Sequence, residues 1–272
     1  MDRIRTALDL ARQERNRNLG ADPKVPPATS PPPSGESRGA IVYTTTRIFT
    51  ADQHTLEANR IVNPASGDPA AAAFRMLRTQ VMQRMDENGW RTLAILSPGA
   101  HDGKTTTAIN LAISLANDRH HTVLLVDCDL RKPSIDSTLG INAQHGVDDV
   151  LRGDARIEEC LIHPDGFDRL VVLPARAALE HSSETLAGPQ GRALVADLRS
   201  RYPERIILFD LPPVLGADDA LAFLPLIECG LLVVAERGTR RDELLRCMEL
   251  LHKTPILGTV LNKTMATGSA YG

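Results

Sequence analysis

The 272-residue chain is 42% apolar and 24% charged, enough for one large core with an extension. Its net charge of −3 and aromatic content of 3% exclude the basic, base-stacking surface of a nucleic-acid binder. No run of roughly 18 apolar residues is present to cross a bilayer, and four cysteines without Cys-x-x-Cys spacing (Cys128, Cys160, Cys229, Cys247) read as buried free thiols of a reducing compartment.

The N-terminus carries arginines but no apolar block or cleavage site, unlike a secretory signal, so a cytoplasmic protein is expected. Residues 1–19 place Ile4, Leu8 and Ala11 on one face of an amphipathic helix. It reads either as a docking helix or as a solvated one, and five arginines against three acids do not decide between them. Residues 20–67 begin with a stretch rich in Pro, Ser and Gly and read as linker and irregular segment. At Asp68-Pro69 a helix start signal opens the domain expected over 68–265, which a flexible tail at 266–272 follows.

Within that domain six apolar, β-forming runs are predicted strands: TLAILS (92–97), TVLLVD (122–127), RLVVLP (169–174), RIILFD (205–210), GLLVVAE (230–236) and ILGTVLN (256–262). Helical patterns such as KTTTAINLAISLAND (104–118) and GRALVADLRSRYP (191–203) lie between them. The alternation predicts an α/β fold, a mostly parallel sheet covered by helices on both faces, with ligands at the carboxyl ends of the strands.

The stretch SPGAHDGKTTT (97–107) leaves the first of these strands. A full G-x-x-x-x-G-K-[ST] pattern would have glycine where Pro98 stands, but the physics of a phosphate cradle survives that change. Backbone N–H groups opening a helix face the anion. Gly103 permits close approach, Lys104 brings a point charge to the outer phosphates, and the Thr105 hydroxyl can hold Mg²⁺. Ala100, His101, Asp102 and Thr106 complete the candidate nucleotide-binding loop. Two further strands end in acids: Asp127 and Asp129 after one, Asp210 after the other. Three carboxylates beside a nucleotide call for a hard cation, and one left over can accept a proton from an attacking hydroxyl.

The set DGKTTT, LLVDCDLRKP (124–133) and IILFDLPP (206–213) resembles the bacterial tyrosine kinases of exopolysaccharide synthesis, members of the P-loop superfamily that includes the MinD/ParA-like ATPases. These have a Walker A loop, a Walker A′ element ending D-x-D-x-R and a Walker B element ending D-x-x-P. The resemblance covers roughly residues 68 to 265. It implies an ATP-dependent protein-tyrosine autokinase using Mg²⁺, with Lys104 and Thr105 on phosphate and metal. Asp127 would be metal partner or base, Asp129 and Arg131 would complete Walker A′, and Asp210 would hold metal through water. Asn262 is nominated as the residue that reads adenine, with a strand-ending turn as the equal alternative.

Three departures from the family pattern stand out. His101 occupies a place where the family has glycine, and it reads either as a phosphate contact or as an exposed side chain. The family's E-x-x-R-x-x-R assembly helix appears as Ala72-x-x-Arg75-x-x-Arg78, without its glutamate. Of three tyrosines, Tyr43, Tyr202 and Tyr271, only Tyr271 lies in a C-terminal tail fit to be a phosphoacceptor.

The resemblance further implies a partner, a membrane chain-length-determining co-polymerase that recruits the chain to the inner face of the plasma membrane, and contact with other copies of itself. The alternatives are a MinD/ParA-like ATPase switch or a non-catalytic nucleotide-binding module. Gly99 stands where such switches carry a signature lysine.

Overall fold

Five of the six apolar runs become strands whose residues are almost all buried, as two-sided helical cover requires. The computed structural model describes residues 46–264, apart from 64, 65, 119, 202 and 203. The helix expected at 1–19, most of the linker, Tyr43, Tyr202 and the tail with Tyr271 lie outside the described residues.

In chain order the first half runs β1 (Arg47–Phe49), α1 (Gln53–Ala58), α2 (Pro69–Asn88), β2 (Thr92–Leu96), α3 (Lys104–Ala116), β3 (Thr122–Asp127), α4 (Ile135–Leu139), α5 (Val147–Arg152) and α6 (Ile157–Cys160). The second half runs β4 (Ile162–Pro164), β5 (Leu170–Leu173), α7 (Ser182–Ala187), α8 (Pro189–Arg201), β6 (Arg205–Asp210), α9 (Asp219–Phe223), β7 (Cys229–Ala235), α10 (Arg241–Leu250) and β8 (Ile256–Asn262).

The strands form one sheet in the order β1-β4-β5-β3-β6-β2-β7-β8. Every neighbouring pair is parallel except β4 with β5. Side chains alternate across the pleat: Leu124 and Val126 enter the core on one face, Val123 and Leu125 the core on the other. The fold class is therefore the expected one.

Residues 47–63 fall in the stretch read as linker, yet β1 pairs with β4, and Leu56 and Ile61 are buried in the core. Neither three-residue strand has an apolar run to announce it: RIF and IHP are held by neighbours rather than by their own pattern.

Helix termini follow local chemistry. The Asp68 carboxylate accepts from the Ala70 N–H at 2.8 Å with Pro69 at the first helical position, and Gly89 at φ +68° ends α2. Helix α3 is different. Its N-cap is Gly103 and no side chain caps it, so the N-terminal donors at this end of the helix are left to a ligand or solvent.

Candidate active site

Strand order brings the chemistry together. Strands β3 and β6 are neighbours in a register that pairs Asp127 with Asp210, and β2 lies beside β6, so the loop after β2 opens on the same edge. A cleft of about 550 Å³ lies there, walled by Ala100, His101, Gly103, Lys104, Thr105, Thr106, Asp129 and Arg131, with Lys132, Ser134 and Lys263 among the other lining residues.

Lys104, Asp127 and Asp210 are all buried. The Lys104 ammonium lies 2.5 Å from Asp210 Oδ1 and 3.7 Å from Asp129 Oδ2. The Thr105 hydroxyl donates to Asp210 Oδ2 at 2.6 Å, and Ser134 Oγ stands 3.2 Å from the same Thr105 hydroxyl. Asp127 accepts from the backbone N–H groups of Ser134 and Ile135 at 3.0 Å and of Asp129 at 3.1 Å. Two carboxylates thus pair with one ammonium, and Asp127 feels only its charge. Burial, and then the charge of Asp210, push the Asp127 carboxyl up to about 7. Burial also raises Asp129, against the pull of Lys104, and lifts the Cys128 thiol well above its ordinary range.

This surplus of negative charge suits a hard divalent cation. Among the described residues no three His, Cys, Asp or Glu side chains form a ready-made cage. Mg²⁺ needs none, because one or two protein oxygens suffice when water and phosphate complete its shell. The adjacent Thr105 hydroxyl and Asp210 carboxylate, together with the helix end left uncapped by any side chain, fit a magnesium–nucleotide pair.

The loop is stitched to the end of β8 and to the turn after β7. His101 has φ +66° and Gly103 φ +90°, both left-handed. A Cβ at Gly103 would lie 2.0 Å from Asn262 Nδ2, so only glycine fits. Asn262 ends β8 and its amide donates to the Asp102 carbonyl at 2.9 Å. The Asp102 carboxylate accepts from the Gly99 N–H and from Thr239 Oγ1, each at 2.9 Å, so this side chain braces the loop. Lys263 Nζ donates to the His101 carbonyl at 2.5 Å.

On the opposite wall Arg131 Nε donates to buried Asp219 at 2.7 Å, and another of its nitrogens reaches Asp218 at 3.3 Å. Ser182 and Ser183 donate to those same two acids. The hydrogen bond to Asp219 and its charge raise the Arg131 guanidinium further. Thr239, Lys263, Asp218, Asp219 and Ser182 went unnoticed in the sequence, where no motif joins them to residues tens to hundreds of positions away. Ser134 had a usable signal, since it follows LRKP directly and stands at the N-cap of α4. On α2, Arg78 donates to the Ser114 carbonyl at 3.1 Å, pinning that helix to α3.

An AAA domain model matches residues 91–227. The succinoglycan biosynthesis transport protein ExoP of Rhizobium meliloti is 33% identical over 214 residues, 76% of this chain and 26% of ExoP. The tyrosine-protein kinase YwqD of Bacillus subtilis is 27% identical over 202 residues, 73% of this chain and 84% of YwqD. The chain therefore spans about a quarter of the first relative and most of the second. Among solved structures, the VpsO kinase domain is 31% identical with a TM-score of 0.64, over 72% of this chain and 96% of that one. The septum site-determining protein MinD of Pyrococcus horikoshii, complexed with Mg-ADP, is 28% identical with a TM-score of 0.53, over 63% of this chain and 69% of that one.

Proposed function

The chain belongs to the bacterial tyrosine kinase family of P-loop ATPases, and from that premise we propose that it transfers the γ-phosphoryl group of ATP to tyrosine hydroxyls within an exopolysaccharide synthesis or export system. One observation carries the reading: Lys104, Thr105, Asp127, Asp129 and Asp210, scattered over more than a hundred residues, meet on one sheet edge at the mouth of an uncapped helix.

Phosphoryl transfer asks for positioning and charge rather than covalent help. The opening N–H groups of α3 receive the phosphate oxygens, and Lys104, aimed by Asp210, supplies the point charge for the outer ones. Thr105, with Asp210 and Asp127 through water, would hold Mg²⁺, which when bound adds positive charge beside the γ-phosphoryl oxygens. Asp127, at the end of β3 beside Asp210, would take the proton of the tyrosine hydroxyl, with Asp129 as the neighbouring acid. Arg131 and Asn262 complete the nucleotide site.

The acceptor is Tyr271 of another copy. The partner is a chain-length-determining membrane protein that recruits this chain from the cytoplasm to the inner face of the membrane, with residues 1–19 and the following linker as the contact. Among the described residues no helix is long and apolar enough to cross a membrane. The test is mass spectrometry after incubation with Mg-ATP. Phosphotyrosine is expected at Tyr271 and is lost in Tyr271→Phe and Lys104→Ala. ATP hydrolysis without any phosphotyrosine would replace this reading with an ATPase switch.

A further inference from the structure

We infer that Lys263 is a positioning residue of the nucleotide site, holding His101 in the left-handed backbone conformation that shapes the phosphate loop. The inference rests on the nucleotide-binding reading above and extends the site to a residue far along the chain from the loop it holds.

The loop turns through two left-handed positions, His101 at φ +66° and Gly103 at φ +90°. Glycine adopts such a conformation freely. A histidine does so against the clash of its Cβ with the backbone, and persists there only where its surroundings hold it. The surroundings here are the two residues at the end of β8. Asn262 Nδ2 donates to the Asp102 carbonyl at 2.9 Å, and Lys263 Nζ donates to the His101 carbonyl at 2.5 Å. Two successive carbonyls of the loop are therefore gripped from one point. Lys263 is itself left-handed at φ +58°, which turns the chain as it leaves the sheet. It also lines the cleft beside His101, Gly103 and Lys104. A charged donor on a carbonyl is the stronger kind of hydrogen bond, suited to opposing a local conformational cost.

Lys263 could alternatively serve as a cation that touches phosphate itself, and the two roles separate experimentally. The full chain is titrated with Mg-ADP by calorimetry as wild type, Lys263→Met, Lys263→Gln, His101→Gly and the double variant His101→Gly/Lys263→Met, with thermal midpoints measured alongside. Positioning predicts that Lys263→Met and Lys263→Gln bind about tenfold more weakly at an unchanged midpoint, because the lysine is exposed. It also predicts that His101→Gly restores binding in the double variant, since glycine needs no clamp. Lys263→Met binding as tightly as wild type overturns the inference, and so does a double variant that stays weak, which would make Lys263 a direct ligand. Wild-type protein that binds no Mg-ADP would instead refute the nucleotide reading itself.

Discussion

Asp127 and Glu228 are carboxylates at opposite ends of the same sheet, Asp127 accepting three hydrogen bonds and Glu228 four. Glu228, just before β7, takes the N–H groups of Arg91 and Thr92 and the Thr92 hydroxyl at 2.7–2.9 Å. Asp127, ending β3, takes three backbone N–H groups at 3.0–3.1 Å. Yet they titrate in opposite directions. Burial works to raise Glu228, but its hydrogen bonds and Arg199, 2.8 Å away, hold it below the usual carboxylate range. Asp127 is driven up to about 7 by burial and by Asp210, while the lysine whose charge it feels is paired with two other acids. Hydrogen bonds pull both carboxyls down: at Glu228 they, and then Arg199, outweigh burial, whereas at Asp127 full burial and the charge of Asp210 overcome them. One end of the sheet is thus neutralised from within, and the other leaves charge for a ligand to complete.

The largest effect that would break this contrast is at Lys104, the buried cation of the site end. Lys104→Ala should lower the initial rate of phosphotyrosine formation by at least about 10²-fold, and a rate within a few-fold of wild type would place the chemistry elsewhere. At the balanced end the expected loss is stability alone. Glu228→Ala leaves the Arg91 and Thr92 donors unpaired and should cost about 2–3 kcal/mol in urea unfolding, with kcat unchanged.

The two carboxylates also sharpen the comparison through pH. Asp127 is raised on folding, so between its unfolded value near 3.8 and about 7 the folded state binds more protons, and stability of the nucleotide-free protein from this group falls as pH rises across that window. Glu228 is depressed on folding, so its contribution is full above its unfolded value near 4.5 and is lost as pH falls through the lower folded value. Thermal melts should show Asp127→Asn flattening the descent toward neutrality and Glu228→Gln flattening the acid limb. The smallest effect is at a helix cap. Asp68→Ala removes the cap of α2 and should cost about 1 kcal/mol without altering transfer, as unfolding and rate measurements would show.

The central strands and the acids at their ends were legible because each carries its own signal. Leu124 to Asp127 and Ile206 to Asp210 are apolar runs closed by a carboxylate, and a parallel sheet does the rest. The outer wall of the site was not legible. Thr239 and Lys263 each reach the loop across more than 130 residues, and nothing local marks a lysine whose role is to hold a carbonyl. By resemblance Asn262 reads adenine, and by its place after an apolar run it equally suits a strand-ending turn. Here it ends β8, and its amide donates to the loop. The pair β1 and β4 escaped for a related reason, since three-residue strands draw their order from neighbours and have no period to read.

The most direct test of the charge-surplus account is calorimetric titration of the wild-type chain with ADP, once with Mg²⁺ present and once with a chelator. A site end short of positive charge predicts binding at least about tenfold tighter with Mg²⁺, a difference that shrinks in Asp210→Asn. Equal affinity under the two conditions would contradict the account, because carboxylates already balanced by Lys104 would have no use for the ion.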